Sequence, residues 1–300
     1  MIRAPRSVAR RVFLAGALAL VTIALPLRAG GTAPQVDRHR FALLADTHID
    51  ANAARAARGI KMTDHLAQAV REVLAAEPRP AGVLLAGDIA FNRGRKGDYE
   101  QFAESIRPLV QAKLPLHLLL GNHDSRENLF AVIEPEREAP HKHAAVIRTP
   151  NANWFLLDSL DKTNQTAGRL GPQQLAWLAD ALDEQAGKPV IVVAHHPLDP
   201  AGQKRGKTSA LLDSQELLDV LVPRKHVKAF LHGHAHVWAR RVTDGMHIVS
   251  LPAVAYTFSK AQPSAWVLAE VREEGMVLEL RCLDPNHKLH GQKVALTWRR

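Results

Sequence analysis

The sequence predicts an α/β fold in which a mostly parallel, buried sheet is covered by helices. Three observations carry that expectation. Short apolar runs of strand length alternate with longer amphipathic runs. Glycines punctuate the ends of these runs at Gly87, Gly121 and Gly233. Asp, Asn and His residues cluster directly after the runs. Alternation of this kind closes most readily into a parallel sheet with helices outside it.

The elements follow in order. Phe41 to Ala45 reads as a buried strand, and residues 64–76, with Leu66, Val70, Val73 and Leu74 on one face, read as a helix that Pro78 ends. Val83 to Ala86 is the next strand. Residues 98–112 are helical, with Tyr99, Phe102, Ile106 and Leu109 on one side, and Leu116 to Leu120 is a third strand. The stretch from Ser125 to Asn153 is polar and weakly patterned, either a wall over a site or a long connection. A strand resumes at Trp154 to Leu157, and Pro172 suits the first turn of a helix through Asp183. Val190 to Ala194 is a β-branched strand, residues 213–222 a helix, and Lys228 to Leu231 another strand. From His247 the pattern becomes strands and turns, at 247–250, 265–270, 276–281 and 293–298, which are expected to close a second sheet. Residues 34–300 therefore read as one domain.

The N-terminus reads differently. Arg3, Arg6, Arg10 and Arg11 precede an apolar run from Val12 to Leu27, the order found in a signal peptide. Ala29 and Ala33 are alternative cleavage edges, so residues 1–33 are set apart as a targeting segment. Ala9-Arg10-Arg11-Val12-Phe13-Leu14 is similar to a twin-arginine export signal, with Ala9 where Ser or Thr is usual. A retained anchor is the other reading, but the run is shorter than the roughly 20 residues a spanning helix needs. No later segment is apolar enough to span a membrane. The expectation is an exported protein, periplasmic or secreted, that meets export machinery through this segment.

The formal charge is +9, yet the first 33 residues hold five Arg and no acid, which leaves about +4 for the remainder. So mild a balance gives no strong nucleic-acid signal, and no basic stripe or aromatic stacking platform stands out along the chain. A small anionic substrate is compatible with it. The single Cys, Cys282, rules out an internal disulfide and any Cys-rich metal site. Oligomeric state is not legible.

Sixteen His hint at metal chemistry, and their placement sharpens the hint. Asp46-Thr47-His48 follows the first strand, Gly87-Asp88 the second and Gly121-Asn122-His123-Asp124 the third. His195-His196-Pro197 follows Val190 to Ala194, and Gly233-His234-Ala235-His236 follows Lys228 to Leu231. The carboxyl ends of neighbouring strands in an α/β sheet converge on one crevice, which can gather such residues. Imidazole and carboxylate donors suit Fe, Zn and Mn better than soft, thiolate-bound metals. A carboxylate such as Asp88 can bridge two ions.

The ordered set Asp-x-His, Gly-Asp, Gly-Asn-His-Asp, His-His-Pro and Gly-His-x-His resembles the calcineurin-like metallophosphoesterase superfamily over residues 40–250. The resemblance implies a four-layer α/β/β/α sandwich of two mixed sheets with a dimetal site at the strand ends. It further implies that Asp46, His48 and His236 bind one metal and that Asn122, His195 and His234 bind the other, with Asp88 bridging. His196 is then a pocket-shaping residue. His123 faces the substrate, and Asp124 is expected to orient His123 through the other ring nitrogen. The cofactors implied are two divalent or trivalent ions, Fe, Mn or Zn.

The function implied is phosphate-ester hydrolysis by a metal-activated hydroxide, leaning to small phosphodiesters because the motifs resemble the bacterial cyclic-nucleotide and glycerophosphodiester branch. His123 would protonate the leaving oxygen or stabilise the phosphoryl charge. A phosphomonoesterase of the same fold is the alternative. A non-catalytic metal-binding scaffold would tolerate loss of His123 or of Asp88, and neither is lost. Gly202-Gln203-Lys204-Arg205-Gly206-Lys207 offers cationic groups for an anionic substrate, or is a solvated loop.

Overall fold

A computed structural model of the chain describes residues 35–300, apart from 205 and 207. Residues 1–33, the expected targeting segment, lie outside the described residues. The chain opens with β1 (Val36–Leu44), a small hairpin of β2 (Ala56–Ala57) and β3 (Ile60–Lys61), then α1 (Met62–Ala75) and β4 (Arg79–Ala86). Next come α2 (Lys96–Gln111), β5 (Leu116–Leu119), α3 (Arg126–Ile133), β6 (Ala145–Arg148) and β7 (Asn153–Leu156). They are followed by α4 (Pro172–Asp183), β8 (Val190–Ala194), α5 (Pro200–Lys204), α6 (Ser214–Leu221) and β9 (Val227–His232). The chain ends with β10 (Ala239–Thr243), β11 (Met246–Ser250), β12 (Ala265–Arg272), β13 (Gly275–Cys282) and β14 (Lys293–Thr297).

Two mixed six-stranded sheets result. The first runs β14-β13-β12-β1-β4-β5 and the second β10-β11-β9-β8-β7-β6. Within the first, β1, β4 and β5 are parallel. Within the second, β7, β8, β9 and β11 are parallel.

The period of two along each strand sorts side chains into layers. In β1 and just beyond it, Phe41, Leu43 and Ala45 face the second sheet, where they meet Trp154, Ile191 and Leu231 in a shared core. The intervening Ala42 and Leu44 face the other way, against Leu66, Val70 and Val73 of α1 and Phe102 and Ile106 of α2. β8 repeats the pattern, with Ile191 and Val193 in the inter-sheet core. Its Val190 and Val192 pack instead with Leu178 and Leu182 of α4 and Leu217 and Leu221 of α6. Each fully buried aliphatic side chain contributes roughly 1.5–3 kcal/mol. Helix, sheet, sheet, helix is therefore the layer order, as the sequence resemblance implies.

The last strands depart from expectation. Of the strands expected from His247 onward, only β11 joins the second sheet; β12, β13 and β14 return to the first, where β12 pairs antiparallel with β1 through Phe41 and Ala269. The reason is that β12 is apolar on both faces. Trp266 and Leu268 enter the helix-side core, while Val267, Ala269 and Val271 enter the inter-sheet core. Such a strand belongs in a sheet interior. The turn at Glu273-Glu274 joins β12 to β13, with Arg272 opposite Gly275.

The weakly patterned stretch also gains structure, as α3 and β6. Ser125 caps α3 by accepting from Asn128 N at 3.3 Å. Arg126 then grips the buried Asp158 with two hydrogen bonds, which ties α3 to the segment after β7. β10 has no apolar signal in the sequence because it is an exposed edge strand reading Ala-Arg-Arg-Val-Thr. Among the described residues no helix is long and apolar enough to cross a membrane.

Candidate metal centre

All five polar motifs leave the carboxyl ends of parallel strands. β1, β4 and β5 deliver Asp46, His48, Asp88 and the 121–124 turn, while β8 and β9 deliver His195, His196, His234 and His236. The two sheets thus each supply part of one cage. Four overlapping groups place donor atoms within 4.8 Å of one another: Asp46, His48 and His236; Asp46, Asp88 and His195; His48, Asp88 and His123; and His195, His196 and His234.

The backbone must bend sharply to aim these groups inward. Asp46, His48, Asp88, His234 and His236 all have positive φ, between 46° and 69°. Residues with a Cβ rarely adopt this region, and each instance costs on the order of 1–3 kcal/mol. Five in one cluster are held there by the surrounding structure. Gly87 and Gly121 make the approach sterically possible. A Cβ on Gly87, itself at φ 84°, would lie 2.6 Å from His195 Nδ1, and one on Gly121 would collide with Asp88.

The hydrogen bonds fix which ring nitrogen points inward. His48 Nδ1 lies 3.3 Å from Phe91 O, His195 Nδ1 2.8 Å from Ala86 O and His236 Nδ1 2.6 Å from Tyr256 O. Each Nδ1–H donates to a main-chain carbonyl, which leaves the neutral ring with a lone pair on Nε2. Those Nε2 atoms converge on one another and on the carboxylates of Asp46 and Asp88. His48 Nε2 faces His236 Nε2 at 3.0 Å, and His195 Nε2 faces Asn122 Oδ1 at 3.3 Å. His234 turns the other nitrogen inward, with Nδ1 2.9 Å from Asn122 Oδ1. Ring nitrogens, carboxylates and an amide oxygen turned towards one another in this way suit bound cations.

Electrostatics agree with geometry. Asp46 and Asp88 are almost fully buried, at 0% and 2% exposure, and among the described residues neither pairs with Lys or Arg. Buried carboxylates of this kind need compensating positive charge. Burial pushes their pKa upward, but the neighbouring His236 for Asp46 and His195 for Asp88 more than offset it, so both stay below the usual range. Burial drives His48 and His234 down to about 4, so these rings are neutral at pH 7. Burial acts the same way on His195, but Asp88 and Asp46 outweigh it and lift the ring to about 9. The donor set of imidazoles, carboxylates and an amide oxygen fits two metal ions.

Asp88 stands between the two halves. Its Oδ2 is 3.8 Å from His48 Nε2 and 3.4 Å from His195 Nε2, while Oδ1 accepts from His123 N at 2.8 Å. His123 is half-buried at the mouth, and its Nδ1 sits 2.8 Å from Asn92 O.

Here the expectation for Asp124 is corrected. Its carboxylate does not orient the His123 ring, whose Nδ1 is held by the Asn92 carbonyl. Asp124 is fully buried and accepts from Ile89 N at 3.2 Å, Ala90 N at 2.9 Å, Gly121 N at 2.8 Å and Tyr99 Oη at 3.1 Å. It clamps the turn after β4 to the turn after β5. Burial, then the charge of Asp88, raises its pKa to about 6 against the pull of the backbone donors.

His196 is buried beside the cage with Nδ1 2.8 Å from Ser159 Oγ, and Gly168 packs directly on its ring. In the 202–207 segment, Lys204 is exposed and Gln203 is tied to Glu216 of α6. Arg205 and Lys207, on which the cationic expectation also rests, lie outside the described residues.

The sequence reading does not single out the carbonyls of Phe91, Asn92 and Tyr256, which set the ring tautomers. Any residue type supplies a carbonyl, so sequence carries no signal for them. Tyr256 also stacks on His48, with centroids 5.2 Å apart and planes 25° apart.

A cage that holds two buried carboxylates and inward lone pairs at the joined ends of two sheets defines a dinuclear metal-dependent phosphoesterase. The calcineurin-like phosphoesterase model matches residues 39–238, from β1 to the approach to β10, and the chain belongs to that family. Among curated proteins, the chain is 26% identical over 217 residues to the 3',5'-cyclic adenosine monophosphate phosphodiesterase CpdA of Haemophilus influenzae, covering 72% of this chain and 76% of that one. It is 28% identical over 252 residues to the protein named probable glycerophosphodiester phosphodiesterase GpdQ of Arcobacter nitrofigilis, covering 82% and 86%. Among solved structures, a dimetal phosphatase from Danio rerio superposes with a TM-score of 0.66 at 20% identity, covering 87% of this chain and 99% of that one, which speaks to the fold.

Proposed function

We propose that the chain hydrolyses small phosphodiesters with two metal ions. Asp46, His48 and His236 hold one, Asn122, His195 and His234 the other, and Asp88 bridges them. The observation that carries this reading is the position of Asp88, whose single Oδ2 addresses a histidine of each half at 3.8 and 3.4 Å. The donor types favour Fe, Mn or Zn. The diester preference draws support from the relatives, two of which are named for diester substrates.

When bound, the two ions supply a nucleophile at neutral pH and offset the charge of the phosphoryl group. The protein does the rest. Asp46 fixes the His234 turn, its two oxygens each 3.1 Å from His234 N. His123 projects at the mouth, where its ring can give a proton to the leaving alkoxide. The bond from Nδ1–H to Asn92 O holds that ring in place. Asn164 N donates to Asn122 O at 2.6 Å, and Thr163 Oγ1 donates to Asp124 O at 2.7 Å. These two bonds brace the 121–124 turn from the second sheet's side.

The protein is further proposed to act outside the cytoplasm, on the strength of the Arg-rich then apolar order of residues 1–33. The test of function is turnover of bis(p-nitrophenyl) phosphate beside p-nitrophenyl phosphate after reconstitution with Fe, Mn or Zn. Faster turnover of the diester is expected. Turnover of the monoester alone would overturn the diester preference, and no turnover of either would overturn the hydrolase reading.

A further inference from the structure

We infer that Arg58 and Phe258 form a platform beside the metal cage for the planar base of a nucleotide phosphodiester, an inference that rests on the diester reading above. Phe258 is 58% exposed, the most exposed large hydrophobic side chain among the described residues. It does not stand alone on the surface. Its ring centroid lies 4.6 Å from that of His236, tilted by 30°, and 6.0 Å from that of Tyr256. Tyr256 in turn stacks on His48. An exposed aromatic surface therefore runs without a break into the inward-facing imidazoles.

Arg58 reaches this surface from a distant part of the chain. It sits at the tip of the β2–β3 hairpin, and its guanidinium carbon lies 4.7 Å over the Phe258 ring. The two residues at that tip, Arg58 and Gly59, have φ of 52° and 80°. Turns of this kind favour Asn-Gly, because Asn tolerates the left-handed region where a long side chain gains nothing. Among the described residues no carboxylate pairs with Arg58, and the side chain is exposed. The hairpin itself thus gives no reason for an arginine at its tip. Flat guanidinium and aromatic faces together are a stacking surface for a nucleobase, which finds a π-face on either group. A glycerol or ethanolamine group has no such face and gains nothing from it.

The sequence reading finds no stacking platform because its two halves lie 200 positions apart and only the fold joins them.

The test compares kcat/KM for 3',5'-cyclic AMP with kcat/KM for glycerophosphoethanolamine in the metal-loaded full chain. Arg58→Asn suits the turn and removes the guanidinium; Phe258→Leu keeps apolar bulk and removes the π-face. In each variant the nucleotide-to-glycerol ratio should fall by about 5- to 100-fold, chiefly through KM for the nucleotide. Arg58→Lys, which keeps the charge without the flat face, should show most of the same fall. An unchanged ratio in both Arg58→Asn and Phe258→Leu would overturn the platform, as would equal losses on both substrates. Wild-type turnover of glycerophosphoethanolamine without turnover of the nucleotide would overturn the platform and leave the diester reading standing. Turnover of neither would remove the reading on which it rests.

Discussion

His48 and His236 present their Nε2 atoms to one another at 3.0 Å, although each ring has its Nδ1 committed to a main-chain carbonyl. In the neutral rings those two lone pairs repel at that separation unless a cation or a proton lies between them. Metal should therefore stabilise the fold as well as the reaction. An ion present at about 100 times its Kd adds roughly 2.7 kcal/mol. For a chain of this size that corresponds to a Tm shift of about 5 °C. Differential scanning fluorimetry of chelated and reloaded protein reads it directly, and an identical Tm would contradict the convergence of lone pairs on cations.

Asp88 should prove indispensable to the pairing of ions. Asp88→Asn keeps the size and the acceptor for His123 N but removes the negative charge between His48 and His195. Elemental analysis is expected to find fewer than two ions per chain, and kcat should fall by at least about 10³-fold, given that the ions supply the nucleophile. Full two-ion occupancy in Asp88→Asn would show that the bridge lies elsewhere.

His123 and Asp124 are neighbours whose variants should behave in opposite ways. Asp124→Ala strands three buried backbone N–H groups and the Tyr99 hydroxyl, each a loss of order 1–3 kcal/mol. It should lower stability by about 3 kcal/mol or more in urea unfolding. His123→Ala removes a half-buried ring with one side-chain bond and should cost less than about 1 kcal/mol. Its effect should fall on rate, more strongly for poor leaving groups than for good ones. Equal rate losses with both would remove the proton-donor role and leave charge stabilisation.

The pair also marks where sequence reading stops. The candidate metal ligands were legible because each follows a strand, and strand ends in parallel sheets converge whatever lies between them. Asp124 was legible as a polar residue in the right turn, but its partners were not. They are the amides of Ile89 and Ala90 and the Tyr99 hydroxyl, reached across a second turn and a helix. The same limit applies to β12, whose place beside β1 depends on two apolar faces that only the assembled layers distinguish. It applies to β10 as well, where an exposed Arg-Arg edge carries no apolar period.

Cys282, on β13, is 1% exposed in the inter-sheet core. Burial, followed by the charges of Asp284 and Glu72, pushes its thiol up to about 11. The thiolate is the reactive form, so at pH 8 the native thiol should react with a disulfide reagent at least about 100-fold more slowly than the urea-unfolded chain, where its pKa is about 8.5. The sign for stability follows from the same shift. Below about pH 8.5 the thiol is protonated in both states and adds no pH dependence. Above it the unfolded chain releases the proton first, so this group lowers stability progressively as pH rises towards 11. Cys282→Ala should flatten that part of the alkaline limb of the stability curve. Rapid native labelling at pH 8 would mean that the two sheets part far more readily than their packed core implies.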